Sequence, residues 1–135
     1  MACINIGNTT RVVGPLILGN AVKITIGDGT WLGQDFCVYG SGECIIGDNC
    51  DIGPNVVVLS GSHEIGNKEK RAGKGFHYKI NIGNGVWIGG RVTLYGNIKI
   101  DDSSIVAAGA VVQQNVHKNT IVGGVPAKVI CKIAD

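Results

Sequence analysis

Residues 82–117 read IGNGVW, IGGRVT, LYGNIK, IDDSSI, VAAGAV, VQQNVH, six consecutive blocks of six residues. An aliphatic residue opens every block: Ile82, Ile88, Leu94, Ile100, Val106 and Val112. Four positions later stands a second residue that is apolar or small, namely Val86, Val92, Ile98, Ser104, Ala110 and Val116. A period of six fits neither a helix of about 3.6 residues per turn nor an alternating strand. It fits a chain that turns after every short strand, so that one aliphatic side chain per face points at a shared axis. The stretch therefore predicts a β-solenoid built of hexapeptides.

The same period is legible upstream at Ile6, Val12 and Leu18, at Ile26, Leu32 and Val38, and at Ile46, Ile52 and Val58. Three hexapeptides make one triangular coil, so five coils are expected, over 6–63 and 82–117. The first two coils are two residues longer than the rest, which predicts a bulged corner near Lys23–Thr25 and Gly42–Ile45. Corners such as Ile26-Gly27-Asp28-Gly29 and Ile82-Gly83-Asn84-Gly85 hold residues that tolerate positive φ. Thr10, Leu16, Val22, Thr30, Phe36, Cys50, Val56 and Ser62 fall at the second inward position. Cys50 is thus expected to be a small core residue, a common place for a free thiol.

Composition agrees with a narrow aliphatic core and many turns. Only 5% of the 135 residues are aromatic, while 22 are glycine. One domain covers 1–135 in this reading. The net charge of +2 makes no case for nucleic acid or an anionic membrane surface. No apolar run reaches the ~18 residues of a membrane span, and the first residues are not a signal peptide. Five cysteines with no C-x-x-C spacing speak against a disulfide framework or a zinc knuckle and suggest a reduced, cytoplasmic protein.

Between Glu64 and Asn81 the period vanishes. The segment EIGNKEKRAGKGFHYKIN holds five basic and two acidic residues, a surplus of three, so the rest of the chain carries −1. A long loop thrown out of a regular solenoid is uncommon unless functional. The loop is read either as a solvated excursion or as a flap that reaches a neighbour or an anionic group. Residues 118–135 also leave the repeat, and Gly123-Gly124-Val125-Pro126 breaks it. This tail is expected to cap the open end of the prism.

The hexapeptide ladder, Ser62-His63-Glu64 at the loop's departure and the terminal GGVPAKVI together resemble the hexapeptide-repeat acyltransferases that use acetyl-coenzyme A. The likeness is strongest to the sugar and polysaccharide O-acetyltransferase group, which includes maltose and galactoside acetyltransferases. It implies an all-β chain folded as one left-handed parallel β-helix; period six by itself does not specify the hand. The larger maltose and galactoside enzymes carry a helical segment before the prism, whereas here the repeat begins at Ile6. That moves the resemblance towards shorter enzymes of surface-polysaccharide biosynthesis. The family packs three prisms in parallel with active sites in the grooves between them, so a homotrimer is expected.

The resemblance also assigns roles. His63 stands where the family places its catalytic histidine, and an imidazole titrating near neutrality can take a proton from an acceptor hydroxyl and return it to a leaving thiolate. Glu64 or a backbone carbonyl would fix its tautomer. Trp87 lies near the thioester by family position, while Trp31, its counterpart two coils earlier, has only packing to recommend it. Gly90, Ala108 and Gly109 would let the pantetheine arm approach the wall, because small residues admit a close backbone. Gln113, Gln114 and Lys128 would meet the nucleotide end. Gln114 replaces a basic family residue, so a phosphate contact is expected to be lost or taken over by Lys118 or Lys132. Gln34, Asp35 and, within the loop, His77 are candidates for binding the sugar acceptor.

Other chemistries compete. The same transferase site could serve the amine of a nucleotide-linked amino sugar, or serine. The γ-class carbonic anhydrases, a fold relative, bind zinc through three histidines. Here His63, His77 and His117 are separated by 14 and 40 residues and supply no close pair, so no metal is expected. A non-enzymatic assembly subunit is the remaining alternative.

Overall fold

The computed structural model describes residues 1–134. The first turn comprises β1 (Cys3–Ile6), β2 (Arg11–Val12) and β3 (Leu16–Leu18), and the second β4 (Lys23–Ile26), β5 (Trp31–Leu32) and β6 (Phe36–Tyr39). The third holds β7 (Glu43–Ile46), β8 (Asp51–Ile52) and β9 (Val57–Leu59). Two strands, β10 (Gly61–Ile65) and β11 (Ala72–His77), then leave the prism. The fourth turn is β12 (Lys79–Ile82), β13 (Trp87–Ile88) and β14 (Thr93–Tyr95), and the fifth β15 (Lys99–Ile100), β16 (Ile105–Val106) and β17 (Val111–Val112). β18 (Thr120–Gly123) and β19 (Lys128–Lys132) close the chain.

Three parallel sheets form the walls of a left-handed β-helix. Face 1 stacks β1-β4-β7-β12-β15, face 2 runs from β2 up to β18 and β19, and face 3 stacks β3-β6-β9-β14-β17. The register places like over like. Ile6, Ile26, Ile46, Ile82 and Ile100 form one inward column, ending in a bridge from Ile100 to Val116. Val12, Leu32, Ile52, Ile88, Val106 and Val122 form the second, and Leu18, Val38, Val58, Leu94 and Val112 the third. From the second turn onward these side chains are at most 4% exposed. Burying each contributes roughly 1.5–3 kcal/mol, and only stacking supplies that burial.

The second inward position is as ordered. Cys50 is buried as expected and donates its thiol to the Gly83 carbonyl at 3.0 Å. Thr30, beneath it, donates to the Gly47 carbonyl and accepts from the Cys50 amide, so its buried hydroxyl is satisfied. Ser62 departs from the pattern. It is half-buried on β10 and bonds Tyr95 instead of filling the core.

The two extra residues of the early turns sit in the corner between faces 3 and 1, ahead of β4 and β7 rather than in Lys23–Thr25 and Gly42–Ile45, most of which lie in register within those strands. Gly40 there takes φ +95. The same corner of the third turn receives the period-free segment. That segment is no open loop: β10 and β11 pair antiparallel, with Gly61 opposite His77, Ser62 opposite Phe76 and His63 opposite Gly75. It is also shorter than the lost period implies, because Lys79, Ile80 and Asn81 pair with Glu43, Cys44 and Ile45 on face 1. At the far end, β18 lies parallel on β16 and begins a sixth turn before β19 folds back antiparallel over it. The repeat thus continues past His117 for another face, and the cap proper is β19.

Candidate functional site

Face 1 presents a polar outer ladder in which the Glu43 carboxylate stands 3.8 Å from Lys23 and 4.0 Å from Lys79. Such exposed pairs are worth little. The concave features lie at the corners instead.

One group of sequence candidates, His63 and His77, meets where the hairpin leaves the prism. The bulged corner of the second turn (Tyr39, Gly40, Ser41), the end of face 3 (Leu59, Ser60) and the foot of the hairpin enclose a hollow of about 470 Å³. Alternation along paired strands puts His63 and His77 on one face of the hairpin, facing Gly75 and Gly61 across the ladder. Two glycines between two imidazoles leave the floor of this hollow open to a ligand. The imidazole of His63 donates from Nδ1 to the carbonyl of Gly73 at 2.9 Å. A carbonyl only accepts, so Nδ1 carries the proton and Nε2 keeps its lone pair. Of the two acceptors open at the sequence level, the backbone carbonyl holds the ring and Glu64 does not; Glu64 is exposed on β10.

Ser60 clamps the point of departure. Its buried hydroxyl donates to the Tyr39 carbonyl at 2.6 Å and accepts from the Gly42 amide at 3.0 Å. The basic tip of the hairpin is exposed and self-contained: Asn67 Oδ1 accepts from the amides of Glu69 and Lys70, and Arg71 donates to the Gly66 carbonyl. Lys68, Lys70, Arg71 and Lys74 all face solvent.

A second group of candidates shares another edge. Gln34, Pro54, Gly90 and Ala108 succeed one another up the corner between faces 2 and 3, beside the positive-φ residues Asp35, Asn55, Arg91 and Gly109. Contact is tight: a Cβ on Gly90 would stand 3.3 Å from Pro54, and Gly109 donates its amide to the Gly90 carbonyl. Gly109, at φ +75, has nothing within 4 Å of where a Cβ would be. Gly90, Ala108 and Gly109 of the expected cofactor residues therefore stand on one ladder with Gln34 and Asp35, on a different corner of the prism from His63.

The third group converges at the C-terminal end. Gln113, Gln114 and Asn115 follow β17, and Lys128 opens β19 opposite them; together with Pro126 and Ala127 they line a groove of about 460 Å³. Ala127 is tied down by its amide to the Val111 carbonyl at 2.8 Å. Lys118 and Lys132 do not join this groove. They line a separate open hollow with His117 and Asn119.

Both tryptophans stand on the outside of face 2, Trp31 45% and Trp87 56% exposed, with Asp51 between them in the ladder. Arg11 lies over the Trp31 ring at 5.3 Å from its centroid. Trp87 does not line the His63 hollow. Among the described residues no group of three His, Cys, Asp or Glu side chains is placed to hold a metal ion, and no helix is long and apolar enough to cross a membrane. Tyr78, Tyr95 and Ser62 at the hairpin foot were invisible as site residues in the sequence, since only pairing of β10 with β11 brings them together.

Comparison with known proteins fits this architecture. Residues 79–114 match the bacterial transferase hexapeptide (six repeats) family. The galactoside O-acetyltransferase of Escherichia coli (strain K12) is 30% identical over 130 residues, 96% of this chain and 64% of that protein. The chain thus spans less than two thirds of that relative's length. A galactoside acetyltransferase solved in complex with coenzyme A superposes with a TM-score of 0.84 at 29% identity, over 100% of this chain and 67% of the other. A hexapeptide-repeat-containing acetyltransferase of Vibrio cholerae O1 biovar eltor, complexed with acetyl coenzyme A, superposes with a TM-score of 0.85 at 30% identity over 98% of this chain and 72% of the other. With its ladder of hexapeptides, its excursion at His63 and this likeness over almost its full extent, the chain belongs to the hexapeptide-repeat acetyltransferase family.

Proposed function

We propose that the chain is an acetyl-coenzyme A-dependent O-acetyltransferase acting on a hydroxyl of a sugar or surface polysaccharide, with His63 as general base. The observation that carries this reading is the 2.9 Å bond from His63 Nδ1 to the Gly73 carbonyl, which leaves Nε2 free beside an open hollow. In the reaction, Nε2 takes the acceptor's hydroxyl proton as its oxygen attacks the thioester carbonyl. The carbon–sulfur bond then breaks, and the same proton passes to the departing thiolate, giving an acetyl ester and free coenzyme A. Both substrates are bound together and no acyl-enzyme is formed. Cys44 and Cys50, the thiols deepest in the prism, cannot serve as nucleophiles: burial pushes the Cys44 thiol up to about 12 and raises that of Cys50 as well.

The lining of the hollow favours a neutral acceptor. Tyr39 and Leu59 offer apolar surface, while Ser41, His63 and His77 offer hydrogen bonds; among the described residues no Lys, Arg, Asp or Glu lines it. A sugar ring presents both an apolar face and hydroxyls. Serine and a nucleotide-linked amino sugar carry charges that this wall does not answer. Gly90, Ala108 and Gly109 would flank the pantetheine arm, and Gln113, Gln114 and Lys128 the nucleotide end. Because Gly90, Ala108 and Gly109 stand on another edge of the prism from His63, and Trp87 on the outside of face 2, the reading places the complete site in the groove between neighbouring copies of a cytoplasmic homotrimer, with Gln34 and Asp35 turned to the acceptor.

The test is turnover of acetyl-coenzyme A with a panel of neutral sugars, followed by free thiol. His63→Ala is expected to lower kcat by ~10²–10⁴ with coenzyme A binding retained. Equal turnover by the variant removes His63 from the mechanism, and turnover only with serine or an amino sugar replaces the acceptor.

A further inference from the structure

The hairpin has two faces, and the proposed chemistry uses one. His63 and His77 look into the hollow. Ser62 and Phe76, cross-strand partners one step along, look the other way, towards the fourth turn. There the Ser62 hydroxyl meets the hydroxyl of Tyr95 at 2.8 Å. Tyr95 is the last residue of β14, so this bond ties the excursion to the turn above it. Around the bond three rings stack edge to face: Tyr95 against Tyr78 at 5.2 Å between centroids, and Tyr78 against Phe76 at 5.4 Å. Three of the five tyrosine and phenylalanine rings in the chain are thus spent on one contact. Such pairs add about 0.5–1.5 kcal/mol each beyond simple burial.

That concentration needs a reason. A two-stranded ribbon is barely stable in water, and β10 and β11 have no third strand, since their sheet contains only each other. The register of the ribbon also shifts between His63 and Ile65. Without an anchor on its back, the strand carrying His63 would be free to rock against the prism. The hydroxyl of Tyr95 lies below its ordinary pKa, chiefly because Ser62 hydrogen-bonds to it and secondarily because Tyr78 does. The two hydroxyls share this hydrogen bond, whichever of them donates, and a phenylalanine at position 95 can make none.

We propose that Tyr95 is a positioning residue for His63: its hydroxyl holds Ser62, its ring seats Tyr78, against which Phe76 packs, and together these fix the β10 strand so that His63 stays on the Gly73 carbonyl with Nε2 towards the hollow. The proposal rests on the transferase reading for its catalytic consequence but not for its structural content. Displacements of the order of 1 Å in a positioned group can cost ~10²-fold in rate.

Tyr95→Phe keeps the ring and removes the oxygen; Ser62→Ala removes the partner. With each, kcat is expected to fall by about 10-fold while the KM for acetyl-coenzyme A and the melting temperature stay as in the wild type. The double variant is expected to lose no more than either single one, because both delete the same bond. A readout independent of activity is the tautomer of His63, followed by long-range ¹H–¹⁵N correlation at pH ~8.5, where an ordinary histidine is neutral. The wild type is expected to show Nδ1–H, and both single variants a shift towards Nε2–H, the form that a free imidazole prefers. Unchanged kcat together with an unchanged tautomer in Tyr95→Phe overturns the proposal, as does a double variant whose losses simply add. If the wild type turns over no acceptor, the transferase reading fails and the tautomer shift alone decides the positioning role.

Discussion

His63 and Cys44 show how differently two reactive side chains can be placed in one small prism. His63 is exposed at a strand pair that is itself outside the core, and its only fixed bond orients it. Cys44 is 0% exposed on face 1 and held neutral by burial. The five thiols should therefore sort by reactivity. Cys3 and Cys131 are expected to react promptly with a thiol reagent in the native protein, and Cys37, Cys44 and Cys50 only after unfolding. Mass spectrometry of the alkylated chain reads the order directly, and early labelling of Cys44 or Cys50 contradicts the core assignment. At this scale the sequence was informative about type and poor about partners. Cys50 falls at an inward position of the repeat, so its burial was legible. The Gly73 carbonyl was not, because it is supplied ten residues away by the opposite strand of the hairpin.

Among the elements, the inward columns and the hairpin carry separate burdens. Ile88 stands mid-column on β13, fully buried between Ile52 and Val106. Ile88→Ala is expected to destabilise the fold by about 2–5 kcal/mol, since neighbouring turns cannot collapse into the gap without breaking both ladders. Chemical denaturation monitored by circular dichroism checks this. The hairpin should behave otherwise. Replacing residues 64–74 by a tight turn removes the Gly73 carbonyl and the basic tip yet touches no inward column. The expected result is an intact β spectrum with a melting point within about 5 °C of the wild type and turnover lost to the level of His63→Ala. A collapse in stability would show instead that the excursion supports the prism. The hairpin's existence was hidden in the sequence because Gly66, Gly73 and Gly75 and the run of lysines blur any alternation of apolar and polar residues. Its return to face 1 was hidden for a simpler reason. Lys79 and Asn81 are polar because they point outward, and only Ile80 and Ile82 mark the strand.

On the scale of the whole molecule, the three walls are unequal. Face 1 carries Lys23, Glu43, Lys79 and Lys99 on its outside, whereas the outward column of face 3 is Ile17, Cys37, Val57, Thr93 and Val111, and face 2 carries the two tryptophans with Arg11 and Asp51. Apolar, aromatic-bearing surfaces of this kind are suited to contact between copies. Sedimentation velocity is expected to give three times the chain mass, and Val57→Glu, which sets a charge on face 3, to dissociate the assembly and abolish turnover together. A monomeric wild type that turns over normally would return the whole site to one protomer and reopen the roles of Trp87, Gly90 and Ala108. The candidate residues stand on two corners and at the C-terminal end of one prism, so what brings them together is decided at this scale and at no smaller one.

By itself the sequence determined the solenoid, its turns and its core. A period of six with one aliphatic per block is a local rule, repeated until only one geometry can satisfy it, and it identifies Ile26, Leu32, Val38 and their successors as buried without reference to any distant residue. His63 was singled out by the family resemblance, at the edge of the stretch where the repeat lapses. Tertiary structure alone decided the folding of the excursion into a ribbon, the carbonyl that orients His63 and the Ser62–Tyr95 bond behind it. Each of these depends on pairing between segments that share no periodic relation, and pairing energies between such segments leave no trace in the order of residues along either one.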